Sequence, residues 1–122
     1  MVSQAEVEAF IGSSFRSVWA LELLRLLLTD DRGHSQAELV QAMRSSDAVV
    51  AQSLGTLVAV GLVVVDGGGK VRINRADLRT TELIQATVEL YGKSPDRVRR
   101  LIVSNSLPGV TAFADAFRLR KD

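Results

Sequence analysis

The chain of 122 residues has no cysteine, and His34 is its only histidine. The lack of cysteine excludes disulfide bonds, thiolate metal ligands and a cysteine nucleophile. One histidine without a cysteine partner cannot form a histidine-based metal cluster. Acid pairs such as Asp30 and Asp31 predict a solvated turn rather than a catalytic pair, because no nucleophile lies near them in the sequence. We therefore expect no enzyme activity, no cofactor and no metal.

Long apolar runs are also lacking. The most apolar run, residues 20–28, contains Glu22 and Arg25 and is far too short to cross a bilayer. Residues 1–8 are polar and acidic, without the cationic start of a signal peptide. Together with the absence of cysteine, these features lead us to expect a cytoplasmic protein with no membrane partner.

Positive and negative charges are nearly balanced, and the net charge is +1. Residues 1–69 hold four arginines and eight acids, whereas residues 70–122 hold eleven Lys or Arg and six acids. Dedicated DNA-binding proteins are usually more basic, because neutralised phosphates supply most of the non-specific affinity. Hydrophobic residues make up 47% of the chain, which predicts a packed globule.

The first 30 residues are predicted to form two helices. Ser3 and Glu6 have the spacing of a capping box, and Gly12 is predicted to end the short helix that follows. Ser13 or Ser14 would cap a second helix to Thr29 that is apolar around most of its circumference. Such a helix must be covered on two sides, by other elements of the domain or by a second subunit.

Phe15 and Trp19 are placed in this second helix by the prediction, one turn apart. Two interpretations stay open for the pair. In one interpretation both rings pack into the core, and in the other they form part of a dimer interface.

Residues 35–61 read as a pair of helices joined by a tight turn. Ser35 and Glu38 form a second capping box, and Ser46 is the natural N-cap of the next helix. Residues with the spacing of one buried helical face follow, and they are Val50, Leu54, Leu57 and Val58. Gly61 stands where a left-handed residue would end the helix.

A short β-hairpin is predicted directly after this helix. Residues 62–66 are rich in valine, and residues 67–69 are a triple glycine, which reads as a flexible hairpin tip. Residues 70–74 alternate, with Val71 and Ile73 facing inward and Lys70 and Arg72 facing outward.

Three further helices are predicted beyond the hairpin. Thr80 or Thr81 would cap the first, which ends at Gly92. Pro95 opens the second, to about residue 104, and a last short helix spans residues 110–117. The cations Arg97, Arg99 and Arg100 either line the solvent face of the second of these helices or bind phosphates or an acidic partner.

The segment 46–57, followed by Val60, Gly61, Leu62 and Val63, resembles the recognition helix of bacterial winged-helix regulators of the MarR and ArsR type. In that pattern a small residue starts the helix, a valine and two leucines form its core face, and Gly-Leu-Val leads into the wing. The resemblance covers residues 15–74. It implies a mainly α fold with a small β-wing, a winged helix-turn-helix with N- and C-terminal helical extensions.

A length of 122 residues predicts one domain over residues 1–122. The resemblance implies a winged-helix core at about 14–75 and a dimerising helical extension at 76–122. It further implies a homodimeric transcriptional regulator that binds double-stranded DNA, with residues 47–60 in the major groove and residues 62–74 on the backbone. The residues that would contact DNA are Arg44, Ser46, Asp47, Ala48, Ala51, Gln52, Gly55, Thr56, Lys70 and Arg72.

The helix that would bind in the major groove differs in one respect from the usual DNA-recognition helix. Arg, Lys, Asn and Gln are the side chains that usually read base edges, and of these only Gln52 lies on the predicted outer face. Small apolar residues such as Ala51, Gly55 and Ala59 suit the close approach of another helix. The alternative is therefore a winged-helix module that binds a protein partner and no DNA.

Overall fold

A computed structural model describes residues 2–30 and 32–105 of the chain, which form a mainly helical fold with one small antiparallel sheet. The helix predicted at residues 110–117 lies outside the described residues. The elements, in chain order, are α1 (Gln4–Ser14), α2 (Val18–Thr29), α3 (Gln36–Met43), α4 (Asp47–Ala59), β1 (Val63–Val65), β2 (Val71–Ile73), α5 (Leu78–Lys93) and α6 (Pro95–Asn105). One cluster of buried apolar side chains includes members of every one of these elements.

The Ser3–Glu6 capping box at the start of α1 is confirmed. The predicted break at Gly12 is wrong, because α1 continues to Ser14. A glycine inside a helix costs only about 1 kcal/mol relative to alanine, and the neighbouring Ile11 is fully buried. The cap of α2 is Ser17 rather than Ser13 or Ser14, and its hydroxyl accepts a hydrogen bond from the Ala20 N–H at 3.2 Å.

Helix α2 is covered on more than one side by elements of the same chain, since it contacts α3, α4, α5, α6 and β2. Phe15 lies before the helix in extended backbone and is fully buried. Its placement inside α2 is therefore wrong, although its core packing is confirmed. Core packing is wrong for Trp19, which is 46% exposed.

The α3–α4 pair forms as expected. The Ser35–Glu38 capping box is confirmed, and the Ser46 hydroxyl caps α4 by accepting from the Val49 N–H. Val58 does not belong to the buried face of α4. That face consists of Val50, Ser53, Leu54 and Leu57, and Val58 is 46% exposed.

Helix α4 ends in a Schellman motif. The Gly61 N–H donates to the Val58 carbonyl and the Leu62 N–H to the Leu57 carbonyl, both at 3.0 Å. Gly61 has φ +79°, a left-handed conformation that a residue with a Cβ rarely adopts. The predicted glycine end of α4 is confirmed, and the motif turns the chain directly into β1.

The hairpin pairs β1 with β2 in the register Val63–Ile73, Val64–Arg72 and Val65–Val71. Val71 and Ile73 are buried and Arg72 is exposed, as the alternation predicted. His34 pairs with the other edge of β2 through two backbone hydrogen bonds with Val71, of 3.2 and 2.7 Å. Strand β2 therefore lies between β1 and the segment that leads into α3.

The Asp66 side chain organises the hairpin tip. Its Oδ1 accepts hydrogen bonds from the N–H groups of Gly68 at 2.9 Å and Lys70 at 3.0 Å. Gly69 closes the turn with φ +78° and donates to the Asp66 carbonyl. The triple glycine is thus held in one turn by local hydrogen bonds.

Asp77, and not Thr80 or Thr81, caps α5, and its carboxylate accepts from the N–H groups of Arg79 and Thr80. The predicted end at Gly92 is also wrong, since α5 extends to Lys93. The predicted start of α6 at Pro95 is confirmed.

Helices α1, α5 and α6 contact one another beside α2. Ion pairs join Glu6 with Arg79 and Glu8 with Arg97 across these contacts. Val98 and Ile102 of α6 are fully buried, whereas its arginines are exposed, and the Arg99 guanidinium lies 5.8 Å from the centre of the Tyr91 ring. The amphipathic character of α6 is confirmed, and the binding of phosphates or of an acidic partner by its arginines stays a prediction.

Candidate nucleic-acid interface

The residues singled out in and before α4 share one exposed surface. Its inner side is fixed by the burial of Val50, Ser53, Leu54 and Leu57. Exposed residues occupy the other side, and they are Ser46, Asp47, Ala48, Ala51, Gln52 and Gly55. We call these six residues the outer face of α4. Gln52 is the only member with an amide that could read a base edge.

Two of the residues predicted to contact DNA, Asp47 and Thr56, form side-chain hydrogen bonds within the chain. Asp47 Oδ1 accepts a hydrogen bond of 2.9 Å from Gln36 Nε2, which draws the carboxylate toward α3. Thr56 is only half-exposed, and its hydroxyl donates to the Ser53 carbonyl at 2.9 Å. Thr56 thus lies at the edge of the surface rather than at its centre.

Arg44 places a cation immediately before α4. It adopts φ +51° and ψ +44°, a left-handed conformation, and its N–H donates to the Gln41 carbonyl. The next N–H, of Ser45, donates to the Val40 carbonyl at 3.2 Å. This sharp end to α3 leaves the Arg44 side chain exposed beside the N-terminus of α4.

The two predicted cations of the hairpin lie next to carboxylates. Lys70 Nζ is 3.2 Å from Glu38 Oε1 at the start of α3, and Arg72 Nε is 3.7 Å from Asp66 Oδ2. Both cations are about half-exposed, at 45% and 50% of their side chains. A polyanion would therefore have to share these cations with Glu38 and Asp66.

The carboxylates beside the hairpin are held in their charged form. The Ser35 N–H, followed by the Lys70 ammonium, lowers the pKa of Glu38 to about 2. The Lys70 N–H is the main cause that lowers the pKa of Asp66, and the Arg72 guanidinium adds to it. The hairpin consequently presents alternating positive and negative groups at neutral pH.

Arg16 belongs to the same surface, although the sequence pattern did not single it out. It lines a cleft of about 110 Å³ together with Ser17, Trp19, Gln52 and Thr56 among others. Within residues 2–30 and 32–105, Arg16 makes no ion pair or side-chain hydrogen bond. Recognising Ser17 as the cap of α2 would have placed Arg16 at the helix start, a common position for a phosphate contact.

His34 was predicted to be a loop residue beside a helix cap. It does precede the Ser35 cap, but its side chain is buried, with Nε2 3.5 Å from Asp30 Oδ2. Its Nδ1 is buried without a hydrogen-bond partner in the part of the chain that the structure describes. The His34 side chain therefore lies in the interior next to Asp30, and it is not part of the outer face of α4.

Two other kinds of site are absent from residues 2–30 and 32–105. No group of three His, Asp or Glu side chains is arranged to hold a metal ion. None of the helices combines the length and apolar composition needed to span a membrane.

No protein-family model, curated protein or solved structure matches the chain. The surface around α4 must therefore be interpreted from its own geometry and chemistry.

Proposed function

We propose that the protein is a winged-helix transcriptional regulator of the cytoplasm that binds double-stranded DNA. The observation that carries the proposal is the arrangement of α3, α4 and the hairpin. A capped helix, a tight turn and a second helix with an exposed outer face are followed at once by a hairpin. The isolated backbone bridge between His34 and Val71, just before the helix pair, supports the proposal, because a winged helix has a short strand at this point of the chain.

In this proposal α4 lies in the major groove, which is wide enough for one helix. Gln52 supplies the amide for base contacts. Arg44, which precedes α4, and Arg16, which lines a cleft with Gln52, contact phosphates. Lys70 and Arg72 on the hairpin hold the backbone or enter the minor groove. Four cations and one amide make a small interface, so two copies on a pseudo-palindromic site are needed for useful affinity.

The homodimer is proposed to form through the flanking helices. Two exposed apolar side chains there, Leu78 at 73% and Val103 at 48%, lie on α5 and α6. An isologous dimer buries the same patch from both subunits, and two-fold dimers are the commonest oligomers. Size-exclusion chromatography with light scattering would test this state directly.

The experiment that tests DNA binding is fluorescence anisotropy with mixed genomic fragments, at low salt and at near-physiological salt. We expect binding that weakens steeply with salt, because each neutralised phosphate releases counterions. Arg72→Ala should lower the slope of log affinity against log salt by about 0.9, the value for one lost phosphate contact. Arg100→Ala, an exposed arginine on α6, is the matched control and should leave the slope unchanged.

A second candidate function is favoured by the chemistry of α4 itself. Helix α4 has no Lys or Arg, and exposed Val58 and Ala59 continue its apolar outer side. A Cβ added at Gly55 would meet nothing within 4 Å, so the surface there is open. A partner helix could approach such a surface closely, which suits a protein-interaction module. Absence of DNA binding at low salt would favour this candidate.

A further inference from the structure

The cleft of about 110 Å³ that Arg16 lines is formed between the start of α2 and one side of α4. Arg16 and Ser17 precede α2, Trp19 lies in its first turn, and Gln52 and Ser53 lie in the middle of α4. Arg16 is the one charged residue among those that line the cleft, so no carboxylate of residues 2–30 or 32–105 lines it. The local charge therefore favours an anion.

The Arg16 guanidinium is not neutralised by a neighbour. Arg25, Arg32 and Arg97 form ion pairs with carboxylates. Arg16 forms no ion pair and no side-chain hydrogen bond with the residues that the structure describes, 2–30 and 32–105. A guanidinium carries five N–H donors in a planar fork, a geometry that fits the oxygens of phosphate. The charge and the donors of Arg16 are thus available to a ligand.

The start of α2 adds backbone donors to the same wall of the cleft. The Ser17 hydroxyl accepts from the Ala20 N–H at 3.2 Å. The N–H groups of Val18 and Trp19, at the first two helical positions, have no acceptor inside the helix. Helix α2 has 12 residues, and its dipole favours negative charge at this end.

The Ser53 hydroxyl on the opposite wall is an independent sign of a ligand. Ser53 is only 4% exposed and lines the cleft, and its Oγ forms no hydrogen bond within the described part of the chain. In that part, His34 Nδ1 is the one unpartnered side-chain atom that is sealed from solvent. The Ser53 Oγ therefore keeps contact with solvent, and the cleft is the opening that Ser53 lines. A buried hydroxyl is destabilising until a ligand or water satisfies it.

We propose that this cleft binds one phosphate group, held by the Arg16 guanidinium, the N–H groups at the start of α2 and the Ser53 hydroxyl. The donors approach from two walls, which suits a tetrahedral group with acceptor oxygens in several directions. A volume of about 110 Å³ has room for the phosphate group alone, so a sugar or base attached to it would lie outside.

A small phosphorylated molecule and the DNA backbone both offer this group. The proposal does not rest on DNA binding, because every donor belongs to the chain itself. If α4 does enter the major groove, a small phosphorylated ligand in the cleft competes with DNA for Arg16.

The fluorescence of Trp19 reports on the cleft, because Trp19 lines it and is the only tryptophan of the chain. The test is a titration of the full chain with inorganic phosphate, with sodium chloride at equal ionic strength as the reference for screening. We expect a saturable change with a dissociation constant on the order of 1 mM. Arg16→Gln should weaken binding about tenfold, because charge-assisted hydrogen bonds are lost. Arg100→Gln, which removes an exposed arginine from α6, is the matched control and should bind as the wild type does.

Ser53→Ala distinguishes a formed site from loose attraction to Arg16, because this substitution leaves the net charge unchanged. Phosphate binding should weaken about fivefold, the effect of one lost hydrogen bond. The fold should persist, since alanine is the best helix former, and circular dichroism would check it. Ser13→Ala, at an exposed position of α1, is the control. A fluorescence change no larger than that caused by chloride, or equal phosphate binding by Ser53→Ala and the wild type, would overturn the proposal.

A repeat of the phosphate titration with a short DNA duplex present identifies the source of the group. A raised dissociation constant for phosphate would assign the cleft to the DNA backbone, and an unchanged one would assign it to a small phosphorylated ligand. Phosphate binding in a chain that shows no DNA binding by anisotropy would overturn only the regulator proposal. DNA binding without saturable phosphate binding would overturn only the proposal for the cleft.

Discussion

The ammonium group of Lys70 lies 3.2 Å from the Glu38 carboxylate, so that the hairpin is tied to the first turn of α3. Glu38 also closes the capping box, because its Oε1 accepts a hydrogen bond of 3.0 Å from the Ser35 N–H. One carboxylate thus connects a helix start to a hairpin 32 residues further along the chain. Protonation of Glu38 at low pH should therefore weaken both its contact with Lys70 and its hydrogen bond with the Ser35 N–H.

Glu38→Gln should change how the stability of the protein depends on pH. The pKa of Glu38 is lowered from its usual 4.5 to about 2 in the folded chain. The resulting stabilisation is complete above pH 4.5 and is lost as the pH falls from 4.5 to about 2. Glutamine keeps the capping hydrogen bond but not the charge, so the variant should be less stable at neutral pH and lose less stability in acid.

Urea unfolding of the wild type and Glu38→Gln at several pH values between 7 and 2 would measure this effect. Glu89→Gln removes an exposed carboxylate from α5 and serves as the control. Parallel pH profiles for the wild type and Glu38→Gln would show that Glu38 does not couple α3 to the hairpin.

Gly33→Ala should destabilise the fold. An added Cβ would lie 2.7 Å from Lys70 Cβ, so the loop or the hairpin would have to move. Overpacking of this kind costs about 1–3 kcal/mol. Gly55→Ala is the matched control: it lies in the middle of α4 with open space around it, and should stabilise by about 0.5–1 kcal/mol. Equal unfolding midpoints for the two variants would contradict the close approach of Gly33 to the hairpin.

Asp66→Ala should loosen the hairpin tip, whereas Asp66→Asn should largely preserve it. The Asp66 Oδ1 accepts from two backbone N–H groups, and an asparagine oxygen can make the same bonds without the charge. Native-state hydrogen exchange at the Lys70 and Gly68 amides would separate the two variants. Faster exchange in both would mean that the Asp66 charge, through its contact with Arg72, matters more than the turn.

Much of the fold follows from local sequence signals. Capping boxes at Ser3 and Ser35, the Ser46 cap and the Gly61 end of α4 are each defined by side chains within a few residues, and all four form. The errors at the ends of α1 and α5 arise where tertiary contacts outweigh local preference. Burial of Ile11 and Tyr91 carries α1 and α5 through Gly12 and Gly92, which are weak helix formers.

The candidate site was only partly predictable, because its electrostatics depend on distant pairs. Periodicity was enough to place Ala51 and Gln52 on the exposed side of α4. No local pattern could show that Lys70 pairs with Glu38, or that Arg32 and Arg75 line one cavity with Arg72. These pairs join parts of the chain that are distant in sequence, and the loop before α3 meets the edge of β2 through His34.

Substitutions on the outer face of α4 separate the two candidate functions. Ala51→Lys adds a cation at an exposed position, and the fold should tolerate it. If α4 enters the major groove, DNA affinity at low salt should rise and the salt slope should steepen by about 0.9, the value for one added phosphate contact. Gln85→Lys, an equal charge change at an exposed position of α5, is the control for non-specific attraction.

Gly55→Arg tests the same surface for a protein partner. The fold should remain intact, because nothing lies within 4 Å of the added Cβ, whereas a partner helix packed on α4 would be blocked. Circular dichroism would establish the fold, and co-purification with and without the substitution would measure partner binding. A partner still recovered with Gly55→Arg would exclude α4 as its binding surface. If Ala51→Lys and Gln85→Lys then raise DNA affinity equally, α4 does not contact DNA in the groove.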